Sequence, residues 1–137
     1  MCRFLTIVIF TVDDIPLEGT LPYTAISNFK SLEYFGVEDC DVYGRMPLFT
    51  GLTNLKEIRM GGNSISGSIP RSIGELPNLE VLELWENDLF GTIPSFSGSL
   101  RSLDLNENSG IVGNLGNLFQ NLPTSVEKFW CEECRYV

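Results

Sequence analysis

The feature that most limits how this chain can fold is a repeat. The dipeptides Leu21-Pro22, Met46-Pro47, Ile69-Pro70 and Ile93-Pro94 set their prolines 25, 23 and 24 residues apart. Two residues before each dipeptide stands Gly19, Gly44, Gly67 or Gly91, and two before that stands Leu17, Val42, Ile65 or Leu89. At 15, 12 and 10 residues before each proline come Ile7, Phe10 and Val12; Leu32, Phe35 and Val37; Leu55, Ile58 and Met60; and Leu79, Leu82 and Leu84. Two further units keep the phase without the proline: Leu100, Leu103 and Leu105 with Asn108, then Val126, Phe129 and Cys131 with Cys134. About six units of this length predict a solenoid, because one unit buries too little apolar area to offset its own ordering entropy and gains a core only from its neighbours.

Within each unit the apolar residues alternate, so a short strand turns one face inward and the other outward. Asn63, Asn87 and Asn108 follow the strand, where an amide can satisfy backbone groups of a chain turning inside the solenoid, out of reach of water. The Gly before x-Ile-Pro suits a tight corner, and Pro removes a donor and ends regular pairing.

Written out, the pattern is L-x-x-L-x-L-x-x-N-x-L-x-G-x-I-P, clearest in Asn63-Ser-Ile-Ser-Gly-Ser-Ile-Pro70, Ile73-Gly-Glu-Leu76 and Asn87-Asp-Leu-Phe-Gly-Thr-Ile-Pro94. With this pattern the chain resembles the leucine-rich repeat family, plant-type subclass, over about its whole length. The resemblance implies one domain over 1–137, a right-handed, curved α/β repeat solenoid with a parallel sheet on the concave side and mostly irregular or 3₁₀ segments on the convex side. It also implies a non-catalytic recognition module, as in receptor ectodomains, receptor-like proteins and inhibitors of cell-wall hydrolases, and so a cell-surface or secreted setting. No Asn-x-Ser/Thr acceptor occurs, which speaks against a heavily glycosylated ectodomain. The alternatives are an intracellular interaction scaffold or a repeat segment of a longer protein.

The chain departs from the pattern in places. Ile15, Cys40 and Cys134 stand where Asn is expected, and a thiol there can still donate weakly to a carbonyl. The segment from Pro94 to Leu100 is short, predicting local irregularity, and no paired cysteine cap is legible at either end, so the ends read as atypical or truncated. Cys131-Glu-Glu-Cys134 supplies only two of the four ligands that a zinc site needs. In the repeat phase Cys131 takes a core position and Cys134 the Asn position, so buried free thiols are the leading expectation, with a terminal disulfide or a metal clip as alternatives.

Composition removes several function classes. A net charge of -9 and the absence of His argue against nucleic acid as partner and against a histidine-based catalytic dyad. The apolar run 4–12 is far too short to span a bilayer, which takes about 20 residues. It could pass for a signal peptide, but Asp13-Asp14 follows it directly, without a small-x-small cleavage site, and the repeat gives it a structural place. No cofactor is implied.

The outward strand positions form columns: Ile9, Tyr34, Glu57, Val81, Ser102, Lys128; Thr11, Gly36, Arg59, Glu83, Asp104, Trp130; Asp13, Glu38, Gly61, Trp85, Asn106, Glu132; and Asp14, Asp39, Gly62, Glu86, Glu107, Glu133. Adjacent strands lie about 4.8 Å apart, so the last column is a ladder of acids broken once, by Gly62. A solvated face explains it without function, yet like charges at this spacing repel, and Tyr34, Trp85 and Trp130 stand among them as aromatic anchors do. The expected partner-binding set is Tyr34, Asp39, Glu83, Trp85, Glu86, Asp104, Glu107 and Trp130, facing a basic protein or peptide, with calcium as a competing occupant of the acids. Glu83 and Asp104 have the spacing of a glycosidase pair, but a shallow sheet does not exclude water from a carboxyl. A glycan-binding or ice-binding solenoid is a further alternative; for ice, Thr20, Ser68 and Thr92 share a column that Arg45 breaks.

Overall fold

The computed structural model describes residues 7–136, and Cys2, Arg3 and the first residues of the apolar run 4–12 lie outside them. Short strands alternate between two sheets: β1 (Ile9–Asp13), β2 (Tyr34–Glu38), β3 (Tyr43–Arg45), β4 (Glu57–Arg59), β5 (Ser64–Gly67), β6 (Val81–Glu83), β7 (Asp88–Gly91), β8 (Ser102–Asp104), β9 (Gly110–Gly113), β10 (Lys128–Trp130) and β11 (Arg135–Tyr136). The L-x-L strands form one parallel sheet in the order β1-β2-β4-β6-β8-β10, and the strands after each turn form a second, β3-β5-β7-β9-β11. The register of the first sheet reproduces the two leading columns read from the sequence: Ile9, Tyr34, Glu57, Val81, Ser102 and Lys128 are partners in turn, as are Thr11, Gly36, Arg59, Glu83, Asp104 and Trp130.

The second sheet was not expected, and the asparagine ladder anchors its central strands. Asn87 Oδ1 accepts the Ile65 amide at 2.9 Å, and Asn108 Oδ1 accepts the Leu89 amide at 3.1 Å, so each amide holds the second strand of the preceding repeat. Asn87 Nδ2 donates to the carbonyls of Met60, Leu84 and Trp85 at 2.9 to 3.1 Å, and Asn108 Nδ2 repeats the pattern on Leu84, Leu105 and Asn106. Where Cys40 replaces Asn, its thiol lies 3.1 Å from the Val12 carbonyl and 3.0 Å from that of Glu38, in the equivalent place.

The inward residues make one continuous core. Leu32, Leu55, Leu79 and Leu100 are buried, as are Phe35, Ile58, Leu82 and Leu103 in the next position. In the first repeat Phe10 is 39% exposed, because it packs on one side only, stacked on Phe35 with ring centroids 5.4 Å apart. The convex side carries a 3₁₀ turn at Ala25–Asn28 and two helices, α1 (Arg71–Gly74) and α2 (Leu115–Asn121). Between Pro94 and Leu100 no helix forms, as the short spacing predicts. Phe96 fills that space instead, and Asn121 of α2 secures it, accepting the Phe96 amide at its carbonyl and donating Nδ2 to Ile93.

This register makes two neighbouring positions behave differently. Leu82→Ala is expected to cost about 2–5 kcal/mol by opening a cavity between stacked repeats. Glu83→Ala, on the other face, is expected to cost about 1 kcal/mol or less. Denaturant unfolding of the two variants checks this, and equal losses would mean a register error of one residue.

Candidate recognition face

The outward columns differ in what they leave open. In the second column Arg59 stands between two acids: its Nε donates to Glu57 Oε2 at 3.0 Å and its Nη1 to Glu83 Oε2. Burial works against the Arg59 charge, but the Glu57 hydrogen bond and the charges of Glu83, Glu57 and Glu38 outweigh it and hold the guanidinium above its ordinary value. Asp104, next in the column, turns back on its own chain and accepts the Asn106 amide at 3.0 Å. Glu83 and Asp104 are therefore adjacent, as the sequence places them, but both are half-buried and engaged within the fold.

The last column is different. Asp14, Asp39, Glu86, Glu107 and Glu133 are all exposed. Their φ values are 56°, 50°, 50°, 58° and 68°, and Gly62, which interrupts the ladder, sits at 65°. The whole column thus occupies the left-handed turn that leads each strand into its Asn position. Glycine adopts that conformation freely and aspartate tolerates it, whereas glutamate is disfavoured there, so Gly62 is the residue the backbone prefers and Glu86, Glu107 and Glu133 are the exceptions.

Trp85 belongs to the third column and reaches across it. A Cβ on Gly61 would overlap the Trp85 indole, and one on Gly62 would overlap the Asp39 carboxylate and come within 3.2 Å of the indole. The glycine pair of the third repeat therefore makes a bed in which the tryptophan lies, half-buried, with one ring face against the sheet. Alternation alone places Trp85 on the outward face; the bed itself is signalled only by Gly61-Gly62 at two successive outward positions. Trp130, partnered with Asp104, is 41% exposed, and Tyr34 is half-buried beside Glu57.

A family model described as Leucine Rich Repeat matches residues 54–76 and 78–100. Among solved structures the chain is similar to pollen receptor kinase 3, with a TM-score of 0.74 and 26% identity over 87% of this chain and 58% of that one. It is also similar to the plant peptide hormone receptor RGFR1 in complex with RGF2, with a TM-score of 0.67 and 26% identity over 86% of this chain and 23% of that one. The chain folds as a leucine-rich repeat solenoid like those of these plant receptors. It spans only part of these receptors. A plant ice-binding protein, 22% identical with a TM-score of 0.58, shares the fold. No curated protein sequence matches the chain significantly.

The last leucine-rich repeat corrects one expectation. Cys131 and Cys134 are joined in a disulfide, with Cα atoms 5.4 Å apart, rather than standing as buried free thiols. In every inner repeat the core residue and the Asn three positions later face each other across the left-handed turn; Asn87 Nδ2, for example, reaches the Leu84 carbonyl at 3.1 Å. Two cysteines in those positions fall within bonding geometry without further movement. Among the described residues no group of three or more His, Cys, Asp or Glu is placed to hold a metal ion.

Glu38 is the outward acid that the fold most disturbs. Desolvation, then the charge of Glu83, raises its carboxyl above the ordinary 4.5, with Asp13 and Asp39 adding to the rise and Arg59 opposing it. An acid with a raised folded pKa binds its proton more tightly when folded, so stability falls as pH rises from 4.5 through the folded value. Glu38→Gln removes that loss. The variant is expected to be the more stable at neutral pH, with the advantage vanishing below about pH 4.5. Thermal melts of both proteins across pH 3–8 measure it, and a constant difference would contradict the assignment.

Proposed function

We propose that this array is a non-catalytic module that holds a basic peptide or protein segment along the concave face. The carrying observation is the row of five exposed carboxylates at left-handed turn positions, where Gly62 shows what the backbone would prefer. A merely soluble surface has no need to place three glutamates at positions that disfavour them, and repulsion along the row adds to the cost. Asp39, Glu86 and Glu107 are the charged contacts. Glu83 and Asp104 act from within the fold, by holding Arg59 and the turn at Asn106. Trp85, rigid on its glycine bed, presents its outer edge as the central apolar contact, with Tyr34 and Trp130 to either side.

The similar structures support the same class of partner: RGFR1 is seen with RGF2, and another solved structure pairs PEPR1 with AtPEP1. The Cys131–Cys134 disulfide fits an oxidising compartment.

The two kinds of contact predict different kinetics. Trp85→Ala should raise the off-rate of bound basic peptides. Glu86→Gln combined with Glu107→Gln should lower the on-rate and flatten its salt dependence, since the field of exposed acids is screened within about 10 Å at 0.1 M salt. Surface plasmon resonance against a panel of basic peptides, with melts to confirm folding, separates the effects. Basic-peptide binding untouched by both variants would refute the concave site, and calorimetric binding of calcium that displaces the peptides would reassign the acids.

A further inference from the structure

A cleft of about 630 Å³ opens away from the proposed face, and none of its walls comes from the six-stranded sheet. Its charge is opposite to that of the chain. Arg45 and Arg71 line it and no Asp or Glu does, in a protein with 18 acids and 9 basic residues. Arg45, at the end of β3, is exposed and has no carboxylate within ion-pair distance among the described residues. Arg71 Nε lies 3.5 Å from Glu75, but the two side chains are 90% and 65% exposed, so water screens the pair and leaves the guanidinium open to competition.

The remaining walls suit one kind of occupant. Ser66 and Ser68 bring hydroxyls to the cleft, while Tyr23 and Phe90 stand at it with 42% and 55% exposure. Guanidinium forks bind the paired oxygens of phosphate, sulfate or carboxylate in bidentate fashion, hydroxyls add single donors, and aromatic faces take up a flat or ring-shaped body. We propose that this cleft binds an oxyanion carried on a ring, with Arg45 and Arg71 on the anion and Tyr23 and Phe90 against the ring. Such a site would recognise a charged small molecule or the charged ring of a larger one, independently of any peptide on the concave face.

The test is an amide chemical-shift titration of the ¹⁵N-labelled chain with phenyl phosphate, glucose 6-phosphate, inorganic phosphate and glucose. Phenyl phosphate or glucose 6-phosphate should shift the amides of Arg45, Ser66, Ser68 and Arg71, and which of the two binds more tightly tells an aryl source from a sugar source. Inorganic phosphate should bind more weakly, and glucose should leave those amides unmoved. Arg45→Gln and Arg71→Gln should each weaken the phosphate esters about tenfold, the loss expected for one charge-assisted hydrogen bond, at unchanged melting temperature. Equal affinity for inorganic phosphate would overturn the ring contact, and equal affinity for glucose would overturn the role of charge. Unchanged affinity in Arg45→Gln, shifts that fall on the concave strands, or no shift with any probe would overturn the site.

Discussion

A side-chain amide ties each of the three central repeats to the one before it, and the rest of the structure hangs on that tie. The backbone has to reverse between the two sheets in a place that water does not reach, leaving several carbonyls and an amide N–H without partners. Leaving one such group unsatisfied costs about 1–3 kcal/mol. Asn63, Asn87 and Asn108 each make four or five hydrogen bonds, donating to two carbonyls of their own turn and to one of the repeat before, and accepting from amides in or just ahead of the second strand of that repeat. The stacked leucines supply the apolar area, but leucines alone would not fix how one turn sits on the next.

The same turn shapes the recognition face. To bring the amide inward, the residue before it takes a left-handed conformation, and its side chain is carried to the rim of the concave sheet. Five acids stand there in a row, while in the second column Arg59 pairs with Glu57 and Glu83. Part of the acidity of the face is thus engaged within the fold, and the exposed acids of the last column run along one border, with Trp85 lying beside that border on Gly61 and Gly62.

The period of the prolines and the alternation of leucines made the concave sheet, its register and most of its core legible before any coordinates. What stayed hidden depended on contacts between repeats. The second sheet has strands of two to four residues with glycines in them, too short for any periodicity to show. The Cys131–Cys134 pair required knowing that core and Asn positions face each other across the turn. Outward positions could be assigned from alternation, but whether an outward acid is free depends on its neighbour one repeat away, as Glu83 depends on Arg59. Trp85 was legible as an outward aromatic and not as one resting on the preceding repeat, because that needs its neighbours' lack of side chains to be read as space.

Asn87 is the middle rung of the amide ladder. Asn87→Ala leaves the Ile65 amide and the carbonyls of Met60, Leu84 and Trp85 without their side-chain partner. Denaturant unfolding of this variant, beside Asn78→Ala, which removes one exposed hydrogen bond to the Thr53 carbonyl, compares a buried with an exposed amide directly. The expected loss for Asn87→Ala is about 3 kcal/mol or more, since several buried groups lose a partner at once, against a few tenths at Asn78. Equal, small losses at the two positions would show that leucine packing alone holds the repeats together.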